Sequence, residues 1–174
     1  ILVNNAGVSM RALFRDADVD VIKKVMDINF YGAVYCTKYA LNSIIERQGT
    51  IVGVSSIAGY RGLPGRSGYS ASKFALQGWM EALRTELLSS GVNVMWVCPG
   101  FTTSNIRNAA LNKDGMPQGE SPMDESAMMT AEEVAVQRPL LRHVVVEPGR
   151  RRRLVQRRAA RRLRRRARAV REDE

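Results

Sequence analysis

The chain has 174 residues, 45% of them hydrophobic, enough for one domain with a buried core. Its formal charge of +10 is uneven: residues 1–137 hold 12 Lys and Arg against 13 Asp and Glu, while residues 138–174 hold 15 arginines against 4 acids. One histidine, His143, lies in that tail, which leaves a Ser-His-Asp triad without a base and, with only Cys36 and Cys98, leaves too few ligands for zinc.

No apolar run approaches the ~20 residues of a transmembrane helix, and the first residues lack a basic-then-apolar leader. We expect no transmembrane segment. Cys36 and Cys98 fall in apolar contexts and read as two free, buried thiols in a reducing, cytoplasmic compartment.

Ile1-Leu-Val3 is a short apolar run that stops at Asn4-Asn-Ala-Gly7, the pattern of a buried strand feeding a turn. From about Asp20 to Glu46 apolar residues recur at helical spacing, through Val21, Val25, Ile28, Ala33, Tyr35 and Leu41. One long helix is expected, with Asp18 or Asp20 at its positive end and Gly49 as its stop. Thr50 to Ser55 is rich in β-branched residues and predicts a second strand. Ser56 to Gly68 is a Gly- and Ser-rich loop. Tyr69 to about Leu88 predicts a second helix with Phe74, Leu76, Trp79, Met80, Leu83 and Leu87 on its apolar face, closed by Gly91. Val92 to Cys98 is a third strand, ended by Pro99-Gly100.

Strand, helix, strand, helix, strand is the order of a parallel sheet with helical crossovers. Ligands bind such sheets at the carboxyl ends of the strands. The informative segments lie there: Asn4 to Gly7, Ser55-Ser56, and Pro99 to Ser104.

Tyr69 and Lys73 are four residues apart, so one helix would carry both on one face, with Ser56 thirteen residues upstream. A phenol ordinarily titrates near pH ~10, too high for efficient proton exchange at neutral pH, and a neighbouring cation favours the phenolate. Taken alone, the pair is also what an ordinary amphipathic helix surface would carry.

Together these residues resemble the short-chain dehydrogenase/reductase family. The matches are Asn4-Asn-Ala-Gly7, Asn29 inside a long helix, Ser55-Ser56 after a strand, Tyr69-Ser-Ala-Ser-Lys73, and Pro99-Gly100 followed by Thr102, Thr103 and Ser104. The resemblance covers roughly residues 1 to 135. It implies a three-layer, Rossmann-like, doubly wound parallel α/β sheet, present here in part. It also implies an NAD(P)-dependent oxidoreductase interconverting a carbonyl and a secondary alcohol by hydride transfer.

Carried over residue by residue, Tyr69 is the general acid or base, and Ser56 polarises the substrate oxygen. Lys73 lowers the Tyr69 pKa and bonds the nicotinamide ribose. Asn29 stabilises a helix irregularity and holds a water. Asn5, Ala6 and Gly7 lie against the adenosine side of the cofactor. The backbone of Pro99, Gly100 and Thr102, with the Ser104 hydroxyl, receives the nicotinamide amide. The choice between NAD and NADP is not readable. The family's phosphate-binding glycine turn would precede Ile1, so we expect a fragment of a longer reading frame that neither binds cofactor tightly nor turns over by itself.

Between Ser104 and Met129, Met116, Met123, Met128 and Met129 hint at a bulky apolar carbonyl or alcohol as substrate. From Met128 the next family helix is expected to start, with Thr130 as N-cap. The organisation is thus a catalytic part over 1–137 and an Arg-rich tail over 138–174. The tail reads either as a disordered basic arm, which would make an inactive dehydrogenase fragment a nucleic-acid-binding protein, or as sequence translated out of frame. The second reading is preferred, because the change falls inside an expected helix. Homo-oligomerisation through the two long helices is expected of the complete enzyme.

Overall fold

The computed structural model describes residues 1–136; the Arg-rich tail and His143 lie outside the described residues. Three strands, β1 (Leu2–Asn4), β2 (Thr50–Val54) and β3 (Asn93–Val97), form a parallel sheet in the order β1-β2-β3. Register pairs Leu2 with Ile51 and Ile51 with Val94. Both crossovers are helical, the expected βαβαβ order.

The first crossover is a continuous helical run. It comprises α1 (Val19–Met26), a π turn (Asp27–Tyr31) and α2 (Gly32–Glu46). Asp18 caps it, its carboxylate accepting from the Asp20 N–H at 2.9 Å. Its end departs from expectation. Gln48, with φ of 46°, takes the left-handed position, and the Gly49 N–H closes on the Ile44 carbonyl at 2.9 Å. Gly49 follows the turn rather than making it.

The second crossover is α3 (Ser67–Glu86), which begins two residues before Tyr69. α2 and α3 cover the same face of the sheet. Ala33, Ile44, Ile51, Leu76, Met80, Leu83, Leu87, Val94 and Trp96 form one buried cluster there. Gly53 lets α3 approach, since a Cβ on it would collide with Met80 Sδ. On the other face Val52, Val54, Met95 and Val97 are half-buried. Of the apolar positions expected to face inward, Ile28, Tyr35 and Phe74 are exposed. Neither cysteine is in a disulfide, but Cys36 is exposed, because Ala33 and Thr37 turn toward the core and the position between them turns out.

A second cluster, Met10, Val21, Val25, Ala58, Tyr69 and Leu111, joins α1 to the start of α3 at the carboxyl end of the sheet. α4 (Ala131–Val136) starts where expected. Thr130 Oγ1 accepts from the Glu133 N–H at 3.1 Å, and the Glu133 carboxylate accepts from the Thr130 N–H at 2.8 Å. Among the described residues, no helix is long and apolar enough to cross a membrane.

Candidate active site

β2 ends at Val54, and the chain turns at Ser55 and Ser56 into a short 3-10 helix, Ile57–Gly59. Ser56 is extended, with φ of −163°, and its Oγ caps this turn by accepting the Ala58 N–H at 3.2 Å. An accepting Oγ leaves the Ser56 hydroxyl proton free to donate elsewhere. Tyr69 lies in the first turn of α3, mostly buried, and the Ser56 side chain is near enough to pull its phenol pKa down. The two residues are thus brought together, as the sequence suggests.

Lys73 stands one turn further along α3, buried to 4% exposure. Its Nζ donates to the Val54 carbonyl at 2.9 Å and lies 5.7 Å from the centroid of the Tyr69 ring. Burial brings the Lys73 pKa down from 10.5 to about 8, with the neighbouring Cys98 opposing.

The electrostatics differ here from the sequence expectation. Burial raises the Tyr69 pKa above its ordinary value, while the nearby Ser56 side chain and the Arg66 guanidinium pull it down. One cation acting on the phenol is Arg66, at the N-cap position of α3.

Asn29 sits in the π turn, buried to 2% exposure. The extra residue of that turn, closed by the Gly32 N–H on the Asp27 carbonyl, aims the side chain inward. Its Oδ1 accepts the Val8 N–H at 2.8 Å, and its Nδ2 donates to the Val8 carbonyl at 3.0 Å and to Ser72 Oγ at 2.9 Å. Gly7 adjoins this group: a Cβ there would lie 3.3 Å from Asn29 Oδ1 and 3.5 Å from Lys73 Nζ. Asn5, Ala6 and Gly7 are exposed at the end of β1. Asn4 is occupied structurally, donating from Nδ2 to Thr37 Oγ1 at 3.0 Å.

Beyond β3, Pro99 is half-buried, and Gly100 and Ser104 are exposed. Thr102 pairs with Met129 in an isolated bridge, and its carbonyl accepts from Arg107 Nη2 at 2.7 Å. Ser104 Oγ accepts the Ile106 N–H at 3.4 Å. The segment that follows is irregular, as its composition suggests, yet it is tied down. Arg107 pairs with Glu125 at 2.6 Å, and Leu111 exchanges backbone bonds with Ser9 and Arg11. Met116 and Met123 are exposed, Met128 and Met129 half-buried.

Two residues escaped the sequence reading. Ser72 accepts from Asn29 and donates to the Tyr69 carbonyl at 2.8 Å, linking the π turn to the phenol-bearing turn. Arg66, three residues before Tyr69, had only that spacing as a signal.

Comparison with known proteins agrees with this geometry. The family model described as short chain dehydrogenase matches residues 1–115. The mouse protein "Dehydrogenase/reductase SDR family member 7B" is 42% identical over 136 residues, which cover 78% of this chain and 42% of that protein. Among solved structures, "4-hydroxyisoleucine dehydrogenase complexed with NADH" is 28% identical with a TM-score of 0.56, over 59% of this chain and 46% of that one. "ElxO with NADP Bound" is 33% identical with a TM-score of 0.57, over 59% and 42%. The chain therefore spans about two fifths of the length of the curated relatives it matches. With the family model matching well over half of its residues, the chain belongs to the short chain dehydrogenase family.

Proposed function

We propose that the whole protein carrying this chain is an NAD(P)-dependent oxidoreductase that interconverts a carbonyl and a secondary alcohol, with Tyr69 exchanging the proton. The observation that carries the reading is the juxtaposition of the Tyr69 phenol, the Ser56 hydroxyl and the Lys73 ammonium, 5.7 Å from the Tyr69 ring centroid, at the carboxyl end of a parallel sheet. Hydride arriving at a carbonyl builds negative charge on oxygen, so the site needs a donor for that charge and a proton for the product. Ser56 can turn its hydroxyl proton, which the capping bond from the Ala58 N–H does not use, toward the substrate oxygen for the first role. Tyr69, kept protonated at neutral pH by burial, supplies the second.

A nicotinamide cofactor fits the residues present. The Lys73 ammonium has three N–H donors and, among the described residues, one carbonyl partner, Val54, which leaves donors for ribose hydroxyls. The exposed backbone of Asn5, Ala6 and Gly7 would hold the adenosine side, and Pro99, Gly100, Thr102 and Ser104 the nicotinamide amide. The bound NADH and NADP of the two solved neighbours support the same cofactor class. When bound, the cofactor supplies the hydride. Asn29 holds Val8, and through it the turn carrying Gly7, against Lys73.

The substrate is a small-molecule carbonyl or alcohol, and the methionines of the 105–129 segment favour a bulky apolar one. Exposed aromatic rings on the α2 side (Tyr31, Tyr35, Tyr39) and Phe74 on α3 support homo-oligomerisation. Free thiols at Cys36 and Cys98 fit a reducing, cytoplasmic setting.

The experiment is Tyr69→Phe in the whole protein, assayed for nicotinamide-dependent turnover and for NAD(P)H binding by reduced-nicotinamide fluorescence. Turnover is expected to fall by ~10²-fold or more, with cofactor affinity kept. Turnover close to wild type would sink the assignment.

A further inference from the structure

α3 presents three polar side chains at four-residue spacing to the end of β2: Tyr69, Lys73 and Gln77. Tyr69 stands next to Ser56, and Lys73 donates to the Val54 carbonyl at 2.9 Å. Gln77 donates from Nε2 to Ser55 Oγ at 2.7 Å. Two consecutive residues, Val54 and Ser55, are therefore bonded to one helix face, and Ser56 adjoins it. Two of the three rungs belong to the chemistry proposed above. The third has no part in it.

Gln77 is 8% exposed and Ser55 5%. A buried primary amide is costly unless bonded, and a leucine would occupy the same space without that demand. The amide nitrogen also reaches Cys98 Sγ at 3.5 Å, so Gln77 touches the ends of β2 and β3 together. On the far side of Ser56, Gly59 sits directly on the amide, and a Cβ there would collide with Nε2. The same side chain thus contacts the residue before Ser56 and the turn that Ser56 caps.

We propose that Gln77 is a positioning residue for Ser56: by bonding Ser55 and supporting Gly59, it fixes the backbone on both sides of the Ser56 hydroxyl and so sets its place against Tyr69. The buried amide gives directional bonds where an apolar side chain would allow the loop to slide. The catalytic consequence rests on the oxidoreductase reading; the geometric one does not.

The test uses Gln77→Leu and Ser55→Ala with two readouts. The first is ultraviolet titration of the Tyr69 phenol without cofactor, isolated as the difference between each protein and its Tyr69→Phe counterpart. The Ser56 side chain beside Tyr69 pulls the phenol pKa down, so loosening Ser56 raises the titration midpoint in both variants. The second is turnover in the whole protein. There kcat falls by about tenfold to a hundredfold, with KM and cofactor affinity within about twofold. The double variant loses no more than the worse single one. Met80→Ala, which empties the core beside Gln77, lowers Tm without moving the midpoint or kcat.

If the Tyr69 midpoint is unchanged in both variants, or if Met80→Ala moves it equally, the proposal is overturned. If the midpoint shifts while wild type shows no nicotinamide-dependent turnover, the positioning role stands and the oxidoreductase reading fails. Should Gln77→Leu not fold, Ser55→Ala decides alone, because it removes the acceptor and adds no volume.

Discussion

Asn29 binds Val8 through both of its backbone groups, the Val8 N–H reaching Oδ1 at 2.8 Å and Nδ2 reaching the Val8 carbonyl at 3.0 Å. The side chain thus acts as a one-residue strand partner for the segment that leaves β1. The π turn makes this possible by rotating residue 29 toward the sheet. Asn29→Ala strips two partly buried backbone groups of their partner, and also frees Ser72. Each such loss costs ~1–3 kcal/mol, so a destabilisation of about 2–4 kcal/mol is expected in urea unfolding. A change below about 0.5 kcal/mol would show that water replaces the amide freely.

Lys73 supplies a pH signature. Its folded pKa is brought down to about 8 by burial, below the 10.5 of the free side chain. Below pH 8 both states hold the proton, and the cost of burying the charge is fully present. Between pH 8 and 10.5 the unfolded chain holds more protons than the folded one, so this group makes stability rise with pH. The interval corresponds to about 3 kcal/mol. Above pH 10 the raised Tyr69 phenol works in the opposite sense, since the unfolded phenol ionises first. Unfolding free energies from pH 7 to 10 should therefore climb for wild type relative to Lys73→Met, and parallel curves would contradict this assignment.

Gly53 and Met80 form a coupled pair. A methyl at position 53 collides with the Met80 sulfur, so Gly53→Ala is expected to cost ~1–3 kcal/mol as α3 shifts away from β2. Met80→Ala leaves a cavity and costs ~2–5 kcal/mol. Together the new methyl fills part of the space vacated, and the double variant should be more stable than the sum predicts by about 1 kcal/mol or more. Strict additivity in denaturation would mean that the helix face repacks without reference to Gly53.

Much of the fold is legible in local patterns. The three strands are β-branched runs stopped by Asn4-Asn5, Ser55-Ser56 and Pro99-Gly100, and each stop coincides with a strand end. The Tyr69–Lys73 spacing survives because four residues on any α-helix share a face. The turn after α2 does not follow its glycine. Gln48 takes the left-handed position, and Gly49 follows where its N–H meets the Ile44 carbonyl and a Cβ would lie 3.4 Å from Ile44 Cγ2. Apolar periodicity also misplaces Cys36 and Tyr35. It reports that a helix has a buried face, while the π turn shifts which residues occupy that face.

By itself, the sequence determined the order of elements and the parallel sheet, which are matters of periodicity along one chain, and its resemblance to the short-chain dehydrogenase/reductase family singled out Asn29, Ser56, Tyr69 and Lys73. Only the tertiary structure decided the electrostatics and the supports around them. Burial competes with charge at Tyr69, the Arg66 guanidinium acts on the phenol, and Gln77 grips Ser55 across twenty-two residues of sequence. Desolvation and hydrogen-bond partners depend on what surrounds a group in three dimensions, and no residue's own neighbourhood in the chain specifies that.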